Sequence, residues 1–331
     1  MPLLSPIRAA VPTLEGLPLL GRGKVRDSYG LTVGKRLIYC TDGISIFDFV
    51  LNAVVPQKGT ILMAMTHFWL MHLAQFGTRT HFIAAGAEID EHIPEHLRNN
   101  PALQARTMVV SDLDMNNAEF IGRVALTGSG LTEYLKHGTV NGLLLPSGLQ
   151  DGDLLPYILD TPSTKADIGH DEPLDAMKMR EKYPQQTLLL IQVMQIISGF
   201  ARTKGIFFAD SKFEMGLDGA GRLTLGDEVG TPDSSRFWDL REWEASRQLS
   251  VRKAPAPFDK QHVREWGKKL GLNDTKKFDP KNPADVERVH RLEVPRELIE
   301  STTALYRAIF FRLTGMRIED YLDEHLGIIQ E

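Results

Sequence analysis

The apolar periodicity of this chain comes in blocks, and that restricts its fold more than any other feature. Period-two patterns occupy residues 25–31 and 36–40 and return at 105–127 and 206–230. Three-and-four patterns occupy 60–76, 184–203 and 296–314. A doubly wound parallel sheet needs strand and helix to alternate strictly, whereas blocks predict an α+β fold with antiparallel sheets and packed helices. The stripe Ile61, Leu62, Met65, Phe68, Trp69, Leu73 and Phe76 predicts an amphipathic helix between Gly59 and Gly77. Segment 105–127 reads as two strands around a polar turn at 111–117. Segment 145–170, rich in Pro, Gly, Asp and Thr, reads as a long functional loop. The charged segment 251–285, with Pro255, Pro257, Pro280 and Pro283, reads as peripheral. At 331 residues the chain has room for two lobes.

Charge excludes one class of partner. Thirty-eight Lys and Arg against 43 Asp and Glu give a net charge of −5, without the basic footprint of a general nucleic-acid binder. A local basic pocket for a small anion stays open. Cys40 is the one cysteine, so an intrachain disulfide is impossible; at the end of an apolar strand it is expected to be a buried structural thiol. There is no apolar run long enough to span a membrane, and residues 1–12 are too proline-rich for a signal peptide, so a cytoplasmic protein is expected. Oligomeric state leaves no mark on the sequence.

The hairpin at 206–230 carries the sharpest physical expectation. With Gly219-Ala220-Gly221-Arg222 as its turn, Glu214 falls directly opposite Asp227. Two like charges facing each other across a ladder are destabilising unless a cation lies between them. An oxygen-only pair suits Mg²⁺, which takes one or two carboxylates and completes its shell with water and phosphate. Period two puts Asp210 and Lys212 on the same face. The alternatives are a solvated acidic hairpin or a register one residue away.

Three smaller motifs point to anions. Gly21-Arg22-Gly23-Lys24 lets backbone N–H groups and a lysine approach phosphates, although it is neither a Walker motif nor G-x-G-x-x-G. The plain alternative is a strand entry with surface cations. Thr127-Gly128-Ser129-Gly130, downstream of Arg123, resembles an anion-binding turn ahead of a helix starting near Leu131. Thr231-Pro232-Asp233-Ser234-Ser235-Arg236 repeats that theme, or caps a helix. His92-Ile93-Pro94-Glu95-His96 matches H-x-x-E-H, but Pro94 would break the helix a zinc site needs, so an exposed helix start is expected instead.

Taken in order, these segments resemble the phosphoribosylaminoimidazole-succinocarboxamide synthase (SAICAR synthase) family. The matching blocks are GKVRDSYGL at 23–31, TDGISIFDFVL at 41–51, LTGSGLTEY at 126–134 and PSGLQDGDLLP at 146–156. They continue with TPSTKADIGHDE at 161–172, ADSKFEMGLD at 209–218 and DEVGTPDSSRFW at 227–238. The resemblance implies a two-lobed α+β fold related to ATP-grasp and kinase-like enzymes. Residues 1–112 would form an ATP-covering lobe and 113–331 a lobe with the metal and ribonucleotide site. It implies ATP-dependent ligation of L-aspartate to carboxyaminoimidazole ribonucleotide through an acyl phosphate, giving the succinocarboxamide nucleotide, ADP and phosphate. Its partners would be these small molecules and Mg²⁺, with no nucleic acid or membrane.

Carried over residue by residue, Gly23 and Lys24 would cover the ATP phosphates and the adenine would lie near Val110 and Leu113. Glu214 and Asp227 would hold Mg²⁺, with Lys212 contacting phosphate. Arg123, Ser129 and Arg236 would anchor the ribonucleotide, with Asp233 near its ribose. Ser45 and Asp48 would line the nucleotide and aspartate side, and Lys165 would contact the reacting groups. The chain departs from the family pattern at Gly43 (usually arginine), Ile46 (usually alanine) and Val124-Ala125 (usually glycine and tyrosine). Gly226 and Gly230 stand where bulkier apolar residues are common. Two other functions stay open: a kinase-like phosphotransferase on another acceptor, and a nucleotide-binding paralogue that has lost catalysis.

Overall fold

The computed structural model describes residues 11, 14–164 and 173–329. Two antiparallel sheets dominate it. The first is built from β1 (Leu19–Arg22), β2 (Arg26–Gly30), β3 (Lys35–Cys40), β6 (Phe82–Ala85) and β7 (Thr107–Ser111), in the order β1-β2-β3-β7-β6. A separate hairpin, β4 (Gly43–Ile46) and β5 (Phe49–Val54), leaves this sheet at its cleft edge. The second sheet comprises β8 (Asp114–Met115), β9 (Ala118–Ala125), β12 (Leu154–Asp160), β13 (Ser163–Thr164), β14 (Ile206–Leu217), β15 (Leu223–Gly226) and β16 (Ser235–Asp239). A small hairpin, β10 (Thr139–Val140) with β11 (Leu143–Leu144), lies beside it. β14 pairs β9 and β16 along its first half, and β15 and β8 along its second.

The helices are α1 (Lys58–Ala74), α2 (Pro101–Gln104), α3 (Gly128–His137), α4 (Ala176–Lys182), α5 (Pro184–Thr203) and α6 (Leu240–Ser246). They continue with α7 (Gln261–Leu270), α8 (Pro283–His290), α9 (Arg296–Thr314) and α10 (Ile318–Leu326). The main core joins α1, α5, α9 and α10 to both sheets. A second core packs the β4–β5 hairpin against α7 and α8.

The block pattern is confirmed: the sheets are antiparallel and the long helices lie where their periodicity places them. Four expectations are corrected. The 60–76 stripe is not amphipathic, because residues 58–66 of α1 are buried on every side between β3 and helices α5, α9 and α10. The two strands of 105–127 do not pair with each other, since β7 belongs to the first sheet and β9 to the second. The polar stretch between them is the crossing from one sheet to the other. Part of 145–170 is strand, β12 and β13, laid against β9. Segment 251–285 is not peripheral: Val263, Leu272 and Phe278 fill the second core, and Lys260, Gln261 and Arg264 line the cleft.

Candidate active site

Between the sheets lies a cleft of about 1400 Å³. Its roof is the β1–β2 turn. Gly23 donates its N–H to the Arg26 carbonyl at 2.7 Å, and a Cβ there would stand only 2.8 Å from that oxygen. The turn therefore needs glycine, and the next residue, Lys24, projects into the cleft mouth to ion-pair with Asp48. Asp48 is presented by a two-residue turn in which Phe47 (φ 48°) and Asp48 (φ 66°) are both left-handed. This geometry suits a tight hairpin but is strained for a phenylalanine, and such strain gathers at functional sites. Ser45, on β4 of the same hairpin, also faces the cleft.

On one wall β14 lines up Asp210, Lys212 and Glu214. The expected facing of Glu214 and Asp227 is corrected by one residue: Glu214 lies opposite Gly226. The cause is the turn. Asp218 and Arg222 close a three-residue loop, with the Gly221 N–H on the Asp218 carbonyl at 2.8 Å and Gly221 left-handed at φ 73°. Asp227 then leaves the ladder in a left-handed conformation, φ 55°, and its carboxylate accepts from Arg26 at 2.6 and 3.1 Å. Lys212 donates to Glu119 at 2.6 Å and stands 3.6 Å from Glu214. Burial works against the charged Lys212, but Glu119, Glu214 and Asp227 outweigh it and hold its pKa above the usual lysine range. Arg26 is held charged the same way: burial opposes, while Asp227 and Glu228 more than compensate. Both carboxylates thus act on the same two cations.

Their chemistry suits Mg²⁺. Among the described residues there is no group of three or more His, Cys, Asp or Glu side chains preformed for a metal. Two carboxylate oxygens with room for water and phosphate are what Mg²⁺ takes in phosphoryl-transfer sites.

At the other end of the cleft, Arg123 on β9 and Arg236 on β16 both lie directly opposite Asp210 on β14. Each donates to Asp210 Oδ2 at 2.9 Å. Arg123 also reaches Ser129 Oγ at 3.2 Å. Ser129 is in the first turn of α3, whose free N–H groups and positive dipole end favour an anion. Gly128 is left-handed (φ 58°), and a Cβ there would lie 3.0 Å from Arg236 Nη1, so glycine is what lets helix and arginine meet. Arg123 and Arg236 share Asp210 beside a helix N-terminus, and Asp259 lies 3.9 Å from Arg236, so an anion here would meet the guanidinium donors these pairs leave over together with the helix N–H groups. The segment 231–236 caps no helix; it turns directly into β16.

The structure therefore brings together Gly23, Lys24, Ser45, Asp48, Val110, Leu113, Arg123, Ser129, Lys212, Glu214, Asp227, Asp233 and Arg236 along one cleft. Asp233 lines it, but its carboxylate is engaged: Oδ2 accepts from Lys58 at 2.8 Å and lies 3.5 Å from Lys260, and Oδ1 accepts from the Tyr306 hydroxyl. A ribose hydroxyl would have to share those oxygens. Lys165 lies outside the described residues. His92 and His96 fall either side of Pro94, His92 just past the 3-10 helix Gly86–Glu91 and His96 within the short one at Glu95–Leu97, and His96 bonds the Glu15 carbonyl at 2.9 Å. Cys40 is buried, and burial pushes its thiol up to about 12.

Sequence reasoning missed Lys58, Lys260, Glu119 and Glu228. Lys58 opens a run of apolar helix, where an ammonium needs a buried partner, and that was the available signal. The charge of 251–285 concealed Lys260.

Comparison with known proteins agrees with the resemblance. The SAICAR synthetase family profile matches residues 19–280. The chain is 36% identical over 319 residues to the phosphoribosylaminoimidazole-succinocarboxamide synthase of Cupriavidus pinatubonensis, covering 93% of this chain and 97% of that one. It is 38% identical over 318 residues to the synthase of the same name from Bordetella petrii, covering 92% and 97%. Among solved structures it is similar to the SAICAR synthase of Saccharomyces cerevisiae complexed with SAICAR, with a TM-score of 0.77, 31% identity, and coverage of 93% and 98%.

Proposed function

The chain belongs to the SAICAR synthetase family, and from that premise we propose how its cleft performs the ligation. The reaction joins L-aspartate to carboxyaminoimidazole ribonucleotide in purine biosynthesis, with ATP giving ADP and phosphate. One observation carries the assignment of ends. The Arg123–Asp210–Arg236 row beside the α3 N-terminus and the Lys212–Glu214–Asp227 group are joined by one strand, β14, which supplies Asp210, Lys212 and Glu214 under one glycine-rich turn.

The ribonucleotide phosphate is held by Arg123, Arg236 and Ser129. ATP lies under Gly23 and Lys24, with its adenine against Val110 and Leu113. A carboxylate is inert towards amines, so its oxygen attacks the γ-phosphorus, ADP departs, and an acyl phosphate forms. Phosphoryl transfer relies on positioning and charge neutralisation, which Lys24, Arg26 and Lys212 supply. Glu214 and Asp227 would hold Mg²⁺, which when bound neutralises the phosphates further. Lys24 must exchange Asp48 for phosphate, which frees Asp48 and Ser45 for the aspartate side. Lys165 is retained as a contact to the reacting groups. A closed cleft limits hydrolysis of the acyl phosphate.

Residues 1–112 serve as the ATP-covering lobe and 113–331 as the lobe with the metal and ribonucleotide site, although α1 is shared between their cores. Two antiparallel sheets with nucleotide between them support a relationship to ATP-grasp and kinase-like enzymes. Among the described residues no helix is long and apolar enough to cross a membrane, and a cytoplasmic place suits ATP-dependent biosynthesis.

The test is ADP release. It should require both the carboxylated nucleotide and L-aspartate. ADP formation that proceeds at full rate without aspartate would favour a kinase, and ATP binding without turnover a catalytically impaired paralogue.

A further inference from the structure

Asp233 sits at the floor of the cleft with its side chain 4% exposed, between two lysines that compete for one oxygen. Lys58, at the start of α1, is 0% exposed and holds Oδ2 at 2.8 Å. Lys260, at the head of α7, is 7% exposed, stands further off at 3.5 Å, and is the one that lines the cleft. The groups around it favour its neutral form. Burial acts first, and Arg264 and Lys58 reinforce it against the opposing charges of Asp233 and Glu228, so its pKa is lowered to about 8. Glu228 is itself engaged by Arg26 at 2.8 Å. Tyr306 from α9 donates to Asp233 and adds no negative charge, its own pKa being raised by burial and by Asp233. Asp259, the preceding residue, lies 3.9 Å from Arg236, so Lys260 is next to the arginine assigned to the ribonucleotide.

The proposed ligation leaves one proton without an acceptor. The aspartate ammonium gives up its first proton to solvent to become a nucleophile; when the neutral nitrogen then adds to the acyl phosphate carbon, the adduct carries a positively charged nitrogen that must lose a second. The cleft carboxylates Asp48, Asp210, Glu119, Glu214 and Asp227 are each paired with a cation. His81 is held neutral, but burial lowers it to about 4, which makes it a weak base.

We propose that Lys260 is the proton acceptor of the amide-forming step, with Lys58 in the nearer place on Asp233 at 2.8 Å and Lys260 in the farther one at 3.5 Å. The assignment rests on the ligase reading above. The nitrogen forms its bond to the acyl carbon, and the Lys260 Nζ lone pair takes the proton from that nitrogen. The carbon–oxygen bond to phosphate then breaks, and its electron pair leaves with phosphate. Lys260 returns the proton to solvent through the open cleft.

The experiment compares two reactions of the unaltered protein and of Lys260→Arg, which keeps a cation but supplies no base. One is amide formation with L-aspartate. The other is positional isotope exchange in γ-labelled ATP with the carboxylated nucleotide and no aspartate, which reads acyl phosphate formation alone. In the unaltered protein kcat/KM for aspartate should rise with pH through about 8, and Lys260→Arg should lack that rise. The variant should slow amide formation by about 10²-fold or more, the usual contribution of a general base, and slow exchange far less. Hydroxylamine, already unprotonated at neutral pH, removes the titration of the nucleophile itself while its adduct must still lose a proton, so the loss in Lys260→Arg should persist with it. Equal losses in both reactions, or a pH rise that survives in Lys260→Arg, would overturn the proposal and leave Lys260 a binding residue. Should Lys260→Arg misfold, Lys260→Met is read in the same way, and a flat profile through pH 8 in the unaltered protein is decisive against Lys260. Absence of exchange in the unaltered protein refutes the acyl phosphate itself, and Lys260's role falls with it.

Discussion

Lys58→Met tests the buried pair at the base of the cleft. The ammonium is 0% exposed and its partner 4%, so the substitution removes a charge that water cannot replace. Breaking a buried pair by deleting one partner costs about 3–5 kcal/mol, because the other charge stays behind. Here the loss should fall near the lower end. Tyr306 still donates to Asp233, and Lys260, now 3.5 Å away, can close on the vacated oxygen. About 3 kcal/mol is a more than hundredfold change in the folded-to-unfolded ratio, readily measured by urea unfolding. A second effect has a definite sign. Lys58 lowers the Lys260 pKa by repulsion and by occupying Asp233. Without it Lys260 gains a partner and loses a like charge, so its pKa rises and its neutral fraction at pH 8 falls. The alkaline rise in kcat/KM for aspartate should therefore move to higher pH. A stability loss under about 1 kcal/mol, the range of exposed ion pairs, would refute the burial reasoning. An unmoved pH profile would refute the competition between the two lysines.

Three other substitutions probe separate parts of the site. Asp227→Asn should lower Mg²⁺-dependent ADP release by about 10²-fold or more with an unchanged circular dichroism spectrum, since Arg26 keeps Glu228; near-normal turnover would refute the metal assignment. Arg236→Ala should weaken ribonucleotide binding by calorimetry more than ATP binding, because Asp210 then holds only Arg123; equal losses would count against its role. Gly230→Ala should destabilise the protein by about 1–3 kcal/mol, as overpacking does, since φ is 60° and the new Cβ would lie 2.5 Å from the Trp69 ring. An unaltered unfolding midpoint would show that Trp69 can move aside.

Much of the architecture was legible because period two and period 3.6 survive in single segments, as at 184–203. What period cannot show is which strand pairs with which. The strands at 107–111 and 118–125 look like a hairpin, yet they belong to different sheets because the polar stretch between them crosses the cleft. The register of the 206–230 hairpin is set by a local feature. A turn containing Gly219-Ala220-Gly221 closes equally well over two or three residues in sequence, and only the left-handed Gly221 decides. The charged residues of 251–285 look peripheral because a basic cleft wall and a solvated surface have the same composition. Lys58 shows the converse, a charge inside an apolar run whose partner, Asp233, is 175 residues away in sequence.

The departures from the family pattern acquire a physical meaning once partners are known. At Gly226 a Cβ would meet Leu113 Cδ1 at 3.0 Å, and at Gly230 the indole of Trp69 fills the space. Trp69 Nε1 also donates to the Gly230 carbonyl at 3.0 Å, so the ring packs on this backbone with its polar atom satisfied. At both positions a neighbouring side chain already occupies the space a larger residue would need. Gly43 is different. It stands in β4, buried, opposite Val54, and Arg26 is committed to Asp227 and Glu228. α7, which packs against β4, brings Lys260 at its head and Arg264 into the cleft, from the segment whose sequence gave least sign of a functional role. The glycines at 226 and 230 are thus met by packing from Leu113 and Trp69, whereas basic charge near β4 comes from α7, so α7 is where variation among relatives should track variation at residue 43.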